Sequence, residues 1–253
     1  MNYVISLKNA DERRIHIINE FKKHNLNFLF FDAITVNEVN KYAEKFKINF
    51  NNEMLTNVEK ACFLSHIELY SQLIEKKLDF ICVFEDDVIL GRDASSFFSN
   101  YNWCPKNVDI IKVEKFEDKA FMGLKKINVG KSRYLRVLKG KHLGTAGYIV
   151  TFNGVKKIME YISNHSIANP IDVILFEENI LNGNLKILQM TPSLTIQADR
   201  LYKGILPSQI QAERSDRKII IFKNKLSFIG KVKRESFRLL KNMWMSACKI
   251  NFK

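Results

Sequence analysis

Glu85-Asp86-Asp87 closes the apolar run Phe80-Ile81-Cys82-Val83-Phe84 and is followed at once by Val88-Ile89-Leu90 and Gly91. An extended segment points successive side chains to opposite faces, so three acids at its end repel one another and lose solvation unless a positive charge offsets them. A hard divalent cation, Mg²⁺ or Mn²⁺, does this through carboxylate oxygens and keeps coordination positions open for substrate phosphates. A solvated strand-end turn whose acids cap the next element accounts for the same residues.

Other residues offer chemistry, each with a structural alternative. Gly140, Gly144 and Gly147 surround His142 and Thr145; they let backbone approach a ligand closely, or simply form a flexible loop before a strand. Asn169-Pro170-Ile171-Asp172 reads as a helix start with Pro170 in its first turn and Asp172 near the positive end. An acid there is a helix-terminal charge or a general base held over a pocket. Ser65-His66 either bonds a ligand or is satisfied within its own helix.

Alternating strands and helices must position these groups. Tyr3–Leu7 reads as a strand, Asn9 or Asp11 as the cap of a helix carrying Ile15, Ile18 and Phe21, and Phe28–Phe31 as a second strand ended by Asp32. Asn57 caps a long helical pattern through Cys62, Ile67, Leu73 and Ile74, and Asp109–Val113 and Gly147–Thr151 read as further strands. The alternation predicts an α/β fold with a mostly parallel central sheet flanked by helices. Ligands of such sheets gather beyond the carboxyl ends of the strands, where the acidic triplet falls.

The formal charge is +13 at pH 7, and it is unevenly placed. Arg217 to Lys253 holds eleven basic residues against Glu235 alone, a charge of +10, which leaves +3 for the first 216 residues. Within that segment Ile229, Val232, Leu240, Met243 and Ala247 share one helical arc, with Phe237 and Trp244 beside it and Lys231, Arg234, Arg238 and Lys241 opposite. A basic amphipathic helix suits an anionic membrane surface; packing of its stripe on the body and binding of nucleic-acid phosphates are the competing readings. Lys233 interrupts the arc and opposes deep insertion. The body carries no nucleic-acid motif, so no nucleic-acid partner is expected.

Residues 1–215 are therefore expected to form one domain, and 216–253 a basic C-terminal segment that associates with membrane. With no apolar stretch of membrane-spanning length and no secretory leader at the N-terminus, the expected location is the cytoplasm, peripheral on the inner face of the membrane. Cys62, Cys82, Cys104 and Cys248 are widely spaced and are expected to be buried thiols, not structural zinc ligands.

The order of these pieces resembles glycosyltransferase family 25, whose bacterial members act in lipooligosaccharide synthesis. The resemblance is carried by Tyr3-Val4-Ile5-Ser6-Leu7 with Arg13-Arg14, then Phe31-Asp32-Ala33-Ile34, Ala61-Cys62-Phe63-Leu64-Ser65-His66, Glu85-Asp86-Asp87, Gly144-Thr145-Ala146-Gly147-Tyr148 and Pro170-Ile171-Asp172. It covers roughly the first 200 residues, and ordered agreement among several blocks is more specific than any single motif. Lys60 stands where the family commonly has glycine.

The resemblance implies a GT-A-like domain, a UDP-hexose donor (galactose first, glucose next), Mn²⁺ or Mg²⁺, and a lipooligosaccharide or LPS-core acceptor. It implies that Glu85 and Asp87 hold the metal or the adjoining ribose, and Gln197 is a candidate for a late contact to the metal or the diphosphate. Ser6, Arg13, Asp32 and Ser65 become nucleotide contacts, and Asp86 stands with Glu85 beside the cofactor. Inverting transfer needs one base on the acceptor hydroxyl; Asp172 is that base, with Glu177 and Glu178 as rivals. Two other classes fit the residues less well: a non-catalytic membrane or polyanion binder with a transferase-like body, and a metal-dependent phosphoester hydrolase.

Overall fold

The computed structural model describes residues 1–51, 54–202 and 248–253. The chain opens with β1 (Asn2–Ser6), α1 (Asp11–Lys23) and β2 (Leu29–Asp32), then passes through a 3₁₀ turn (Val36–Glu38), α2 (Val39–Lys45) and the long α3 (Asn57–Glu75). β3 (Phe80–Glu85), β4 (Val88–Leu90), α4 (Ala94–Phe98) and β5 (Ile110–Lys112) follow, then β6 (Ile127–Gly130), β7 (Arg133–Val137) and β8 (Gly147–Thr151). After α5 (Phe152–Asn164), a helical stretch runs from α6 (Ile171–Val173) through a π-helical turn (Ile174–Glu178) into α7 (Asn179–Leu181). β9 (Ile187–Thr191), β10 (Thr195–Gln197) and α8 (Ala198–Leu201) complete the body.

The central sheet has eight strands in the order β2-β1-β3-β8-β5-β9-β7-β6, and β10 pairs with β4 in a separate ribbon. Following the pairings across the sheet, β2, β1, β3, β5, β9 and β6 run one way and only β8 and β7 oppose them. The mostly parallel α/β sheet expected from the alternation is thus present, with antiparallel β8 inserted between β3 and β5.

Both sheet faces are apolar, and alternate residues separate into two cores. Tyr3, Ile5, Ile81, Val83, Tyr148 and Val150 pack with α3 and α5 on one side. Val4, Cys82, Phe84 and Ile149 pack with Ile17 and Phe21 of α1 and Phe97 and Phe98 of α4 on the other. Removing each large side chain from water stabilises the fold by about 1.5–3 kcal/mol before entropy is counted.

Two expected caps differ. Thr56, not Asn57, caps α3: its hydroxyl accepts from Glu59 N at 3.1 Å while the Glu59 carboxylate accepts from Thr56 N at 2.9 Å. This reciprocal box satisfies two end groups, which a lone Asn57 one position later does not. At α1 the cap position is Ala10 with no side-chain bond, so neither Asn9 nor Asp11 caps; Asp11 and Glu12 act instead as first-turn charges against the helix dipole.

The expected amphipathic helix of the C-terminal segment falls on 226–248, of which 226–247 lie outside the described residues. Cys248–Lys253 lie on the body: Ile250 N donates to Asp118 O at 2.8 Å, Ser193 N donates to Asn251 O at 2.7 Å, and Cys248 and Ile250 are buried. No helix among the described residues is long and apolar enough to cross a membrane.

Candidate active site

Parallel pairing of β1 with β3 sets Ile5 opposite Glu85, so both strands deliver their carboxyl ends to one place. Beyond them opens a cavity of about 370 Å³ lined by, among others, Ser6, Arg13, Ile34, Ser65, Glu85 and Asp87. This is where an α/β sheet collects ligands.

The turn after β3 separates the three acids. Asp86 is neutralised: Arg13 Nη1 lies 2.5 Å from its Oδ1, and Ser6 Oγ donates to its Oδ2 at 2.7 Å. Among the described residues, neither Glu85 nor Asp87 has a Lys or Arg in contact. Thr145 Oγ1 donates to Glu85 Oε1, and Gln197 Nε2 approaches Oε2 at 3.5 Å. Asp87 is 4% exposed, and its Oδ1 meets no hydrogen-bond donor among the described residues.

Burial, reinforced by the neighbouring Asp87 charge, pushes the Glu85 carboxyl up to about 8 against the pull of the Thr145 bond. Burial likewise pushes Asp87 up to about 7, even though Arg13 favours its charged form. Two acids that resist ionisation, one with an orphaned buried oxygen, form a donor set that fits a hard divalent cation.

Behind the pair lies a buried frame. Lys112 Nζ donates to Glu114 Oε2 at 3.0 Å and to the Gly144 carbonyl, and sits 4.1 Å above the Phe176 ring. Burial pulls the Lys112 ammonium down and pushes the Glu114 carboxyl up, and their pairing opposes both shifts. Glu114 also accepts from Ala146 N at 3.1 Å, fixing the loop that carries Thr145. Gly144 has φ +89°, and a Cβ there would stand 2.6 Å from Glu114 Oε1; a Cβ on Gly147 would stand 2.2 Å from Thr195 Oγ1. At these two positions the missing side chain makes room for the protein's own side chains.

Asp172 is 9% exposed, and its Oδ1 accepts from Val173 N at 3.0 Å in the first turn of α6. Its charge raises both Glu85 and Lys112, which places it beside the same cluster, although it does not line the cavity. Glu177 pairs with Lys141 at 2.8 Å, and Glu178 accepts from Tyr161 and Asn169.

Ser6, Arg13, Ser65, Glu85, Asp86 and Asp87 are thus brought together around one cavity. Asp32 does not line it; its exposed carboxylate pairs with Arg14. Ser65 lines it, yet its hydroxyl already donates to Ala61 O at 2.8 Å and accepts from Ile34 N at 2.9 Å, a bond that fixes the cavity wall. Gln197 reaches Glu85 with its nitrogen, while Oε1 accepts from Arg200 Nε at 3.2 Å. His66 is wholly buried, its Nδ1 2.7 Å from Tyr148 Oη, and burial lowers its pKa to about 3.

Lys112 and Glu114 were not among the expected site residues. Their signal was two charges two residues apart in and just after the apolar strand Ile110-Ile111-Lys112-Val113, which puts both on the same face.

The family model of glycosyltransferase family 25 (LPS biosynthesis protein) matches residues 1–175. The chain is 34% identical over 263 aligned positions to the lipooligosaccharide biosynthesis protein lic2B of Haemophilus influenzae, covering 97% of each chain. It is 32% identical to the lacto-N-neotetraose biosynthesis glycosyltransferase LgtB of Neisseria meningitidis serogroup B, covering 78% of this chain and 74% of the relative. Among solved structures, a glycosyltransferase that acts in glycosylation of the PBCV-1 major capsid is similar at 12% identity and a TM-score of 0.42, covering 84% of this chain and 96% of that one. The family match spans the cavity, the acidic triplet and Asp172, and the chain belongs to glycosyltransferase family 25.

Proposed function

We propose that this protein transfers a hexose, galactose before glucose, from its UDP-sugar to the saccharide of a lipooligosaccharide, with inversion at the anomeric carbon and with Mn²⁺ or Mg²⁺ in the site. The observation that carries the reading is the pair of a partly buried Glu85 and a buried Asp87, both raised, lining a cavity that Arg13 also lines. The names of the relatives, which act in lipooligosaccharide and lacto-N-neotetraose biosynthesis, support the acceptor class.

Glu85 and Asp87 would hold the cation, and Gln197 would join them if its amide turned its oxygen inward. When bound, the cation neutralises charge on the leaving diphosphate as a Lewis acid. Asp86 holds Arg13 at the cavity wall, where its charge draws the nucleotide diphosphate. Ser6 and the stretch from Ala33 to Val36 border the remaining space for the nucleoside. Asp32 would reach the ribose only by leaving Arg14.

Asp172 serves as the base. As the acceptor oxygen forms its bond to the anomeric carbon, the carbon–oxygen bond to UDP breaks on the opposite face, and the acceptor hydroxyl proton passes to the Asp172 carboxylate. The buried Lys112 ammonium is a positive charge that the Asp172 and Glu85 carboxylates share.

The basic segment within 216–247 would rest on the anionic inner leaflet, raising the effective concentration of a lipid-linked acceptor. Exchanging Lys231, Arg234, Arg238 and Lys241 for Gln should abolish sedimentation with anionic vesicles and spare turnover of a soluble acceptor; unchanged sedimentation would remove the membrane role.

The donor is tested by UDP release from purified protein across a panel of UDP-sugars, with and without Mn²⁺ and a truncated lipooligosaccharide. Metal-dependent release that rises with acceptor supports the reading and names the sugar. Release of free sugar without acceptor dependence would favour hydrolysis.

A further inference from the structure

Cys62 and His66 are four residues apart on α3, the spacing that places two side chains on one helix face. Glu85 faces them from the end of β3. The Cys62 Sγ, a His66 ring nitrogen and a Glu85 carboxylate oxygen all lie within 4.8 Å of one another.

The state of His66 points to a missing positive partner. With Nδ1 engaged by Tyr148 Oη, its Nε2 is buried and meets no hydrogen-bond partner among the described residues; Glu85 Oε1 stands 3.9 Å away, beyond hydrogen-bond reach. In the tautomer whose Nδ1–H donates to Tyr148 Oη, Nε2 carries a free lone pair, the arrangement in which histidine binds metals. Cys62 and Glu85 also line the cavity, which gives an ion a route in.

We propose that Cys62, His66 and Glu85 form a site for a thiophilic divalent cation, with Zn²⁺ as the preferred ion. Its ligand set differs from the all-oxygen set proposed for Mn²⁺ or Mg²⁺. Sulfur, imidazole nitrogen and carboxylate with one open position is a donor set that Zn²⁺ accepts and Mg²⁺ does not. Bonds of about 2.0–2.3 Å require the three atoms to close by on the order of 1 Å. Binding forms the sulfur–zinc bond and releases the thiol proton to solvent, with no change of oxidation state.

Because Glu85 belongs to both sets, Zn²⁺ bound here withdraws a carboxylate from the donor-sugar site and inhibits transfer. That consequence rests on the proposed use of Glu85; capture of the cation does not.

The test is titration of the metal-stripped full chain with Co²⁺, followed by absorbance. The expected result is a thiolate-to-cobalt charge-transfer band in the near ultraviolet that saturates at one equivalent and is bleached by Zn²⁺. Cys62→Ser should lose the band and Asp87→Asn should keep it. His66→Gln should weaken binding at least about ten-fold, since even loss of a group supporting a ligand costs about that much. A wild-type protein without the band, or a Cys62→Ser protein that retains it, overturns the proposal, and the conservative serine exchange decides even if His66→Gln fails to fold. In turnover assays Zn²⁺ should inhibit the wild type at least about ten-fold more strongly than Cys62→Ser; equal inhibition would remove the antagonism. Absence of turnover with every donor would overturn the transferase reading and leave the cobalt result decisive for the site.

Discussion

Arg13 Nη1 stands 2.5 Å from Asp86 Oδ1, so the middle acid of the triplet is neutralised from within the protein while the acids on either side are not. The sequence Glu-Asp-Asp presents three equivalent carboxylates; the fold makes one of them an anchor for a cation of the protein and reserves two for something else. Asp86→Asn should therefore cost about 1.5–3 kcal/mol of stability through the charge-assisted bond to Arg13. It should also raise the KM for the UDP-sugar more than it lowers kcat. Urea unfolding and steady-state kinetics on one preparation check both.

Stability should depend on pH through Glu85 and Asp87 in a direction opposite to that of most carboxylates. Their folded pKa values, about 8 and about 7, lie above the ordinary 4.5 and 3.8. Their contribution is fully present below the ordinary values and is lost as pH rises through the folded ones. Without divalent cation, the melting temperature should fall between about pH 5 and 8 on their account. Saturating Mn²⁺ should restore it most at the alkaline end, and Asp87→Asn should flatten the metal-free profile. Scanning calorimetry across that range reads the slope.

Asp172→Asn should lower kcat by about 10²–10⁴, the usual contribution of a positioned base, and leave binding of UDP intact. Stopped-flow or steady-state turnover paired with UDP titration separates the two effects. Wild-type kcat in the variant would move the base elsewhere. Glu177 and Glu178 are poor substitutes because each is already engaged, by Lys141 and by Tyr161 with Asn169 respectively.

Lys112→Met should destabilise the protein by about 3–5 kcal/mol, because it leaves the wholly buried Glu114 without its ammonium. The double variant Lys112→Met with Glu114→Leu should recover part of that loss, since replacing a buried pair together is far less costly than breaking it. Equilibrium unfolding of both variants tests the difference. Equal loss in single and double variants would show that Lys112 acts through Gly144 and Phe176 instead.

Much of the site was legible because its parts are local in sequence. The apolar run before Glu85 announced a buried strand, and the helical pattern through Cys62, Leu69 and Leu73 announced α3. What stayed hidden depends on pairing across the fold. A period of two residues shows that β8 alternates but not that it runs against β3. Gly147 looks like a loop residue until Thr195 is placed against it. The return of Cys248 and Ile250 to the body could not be read from a segment whose charge and apolar arc point to a surface. Thr56 is marked as a cap only jointly with Glu59 three residues later, while Asn57 alone carries a cap residue type. Asp32 ends its strand, and sequence alone does not show that Arg14 pairs with its carboxylate.

Glu85 and Asp87 are proposed to hold a divalent cation against a nucleotide diphosphate. Isothermal titration of UDP into wild type and Asp87→Asn, each with and without Mn²⁺, tests this most directly. Mn²⁺ should tighten UDP binding in the wild type, and Asp87→Asn, still folded, should lose that enhancement while keeping its metal-free affinity. The same Mn²⁺ enhancement in both proteins, or none in either, would contradict it.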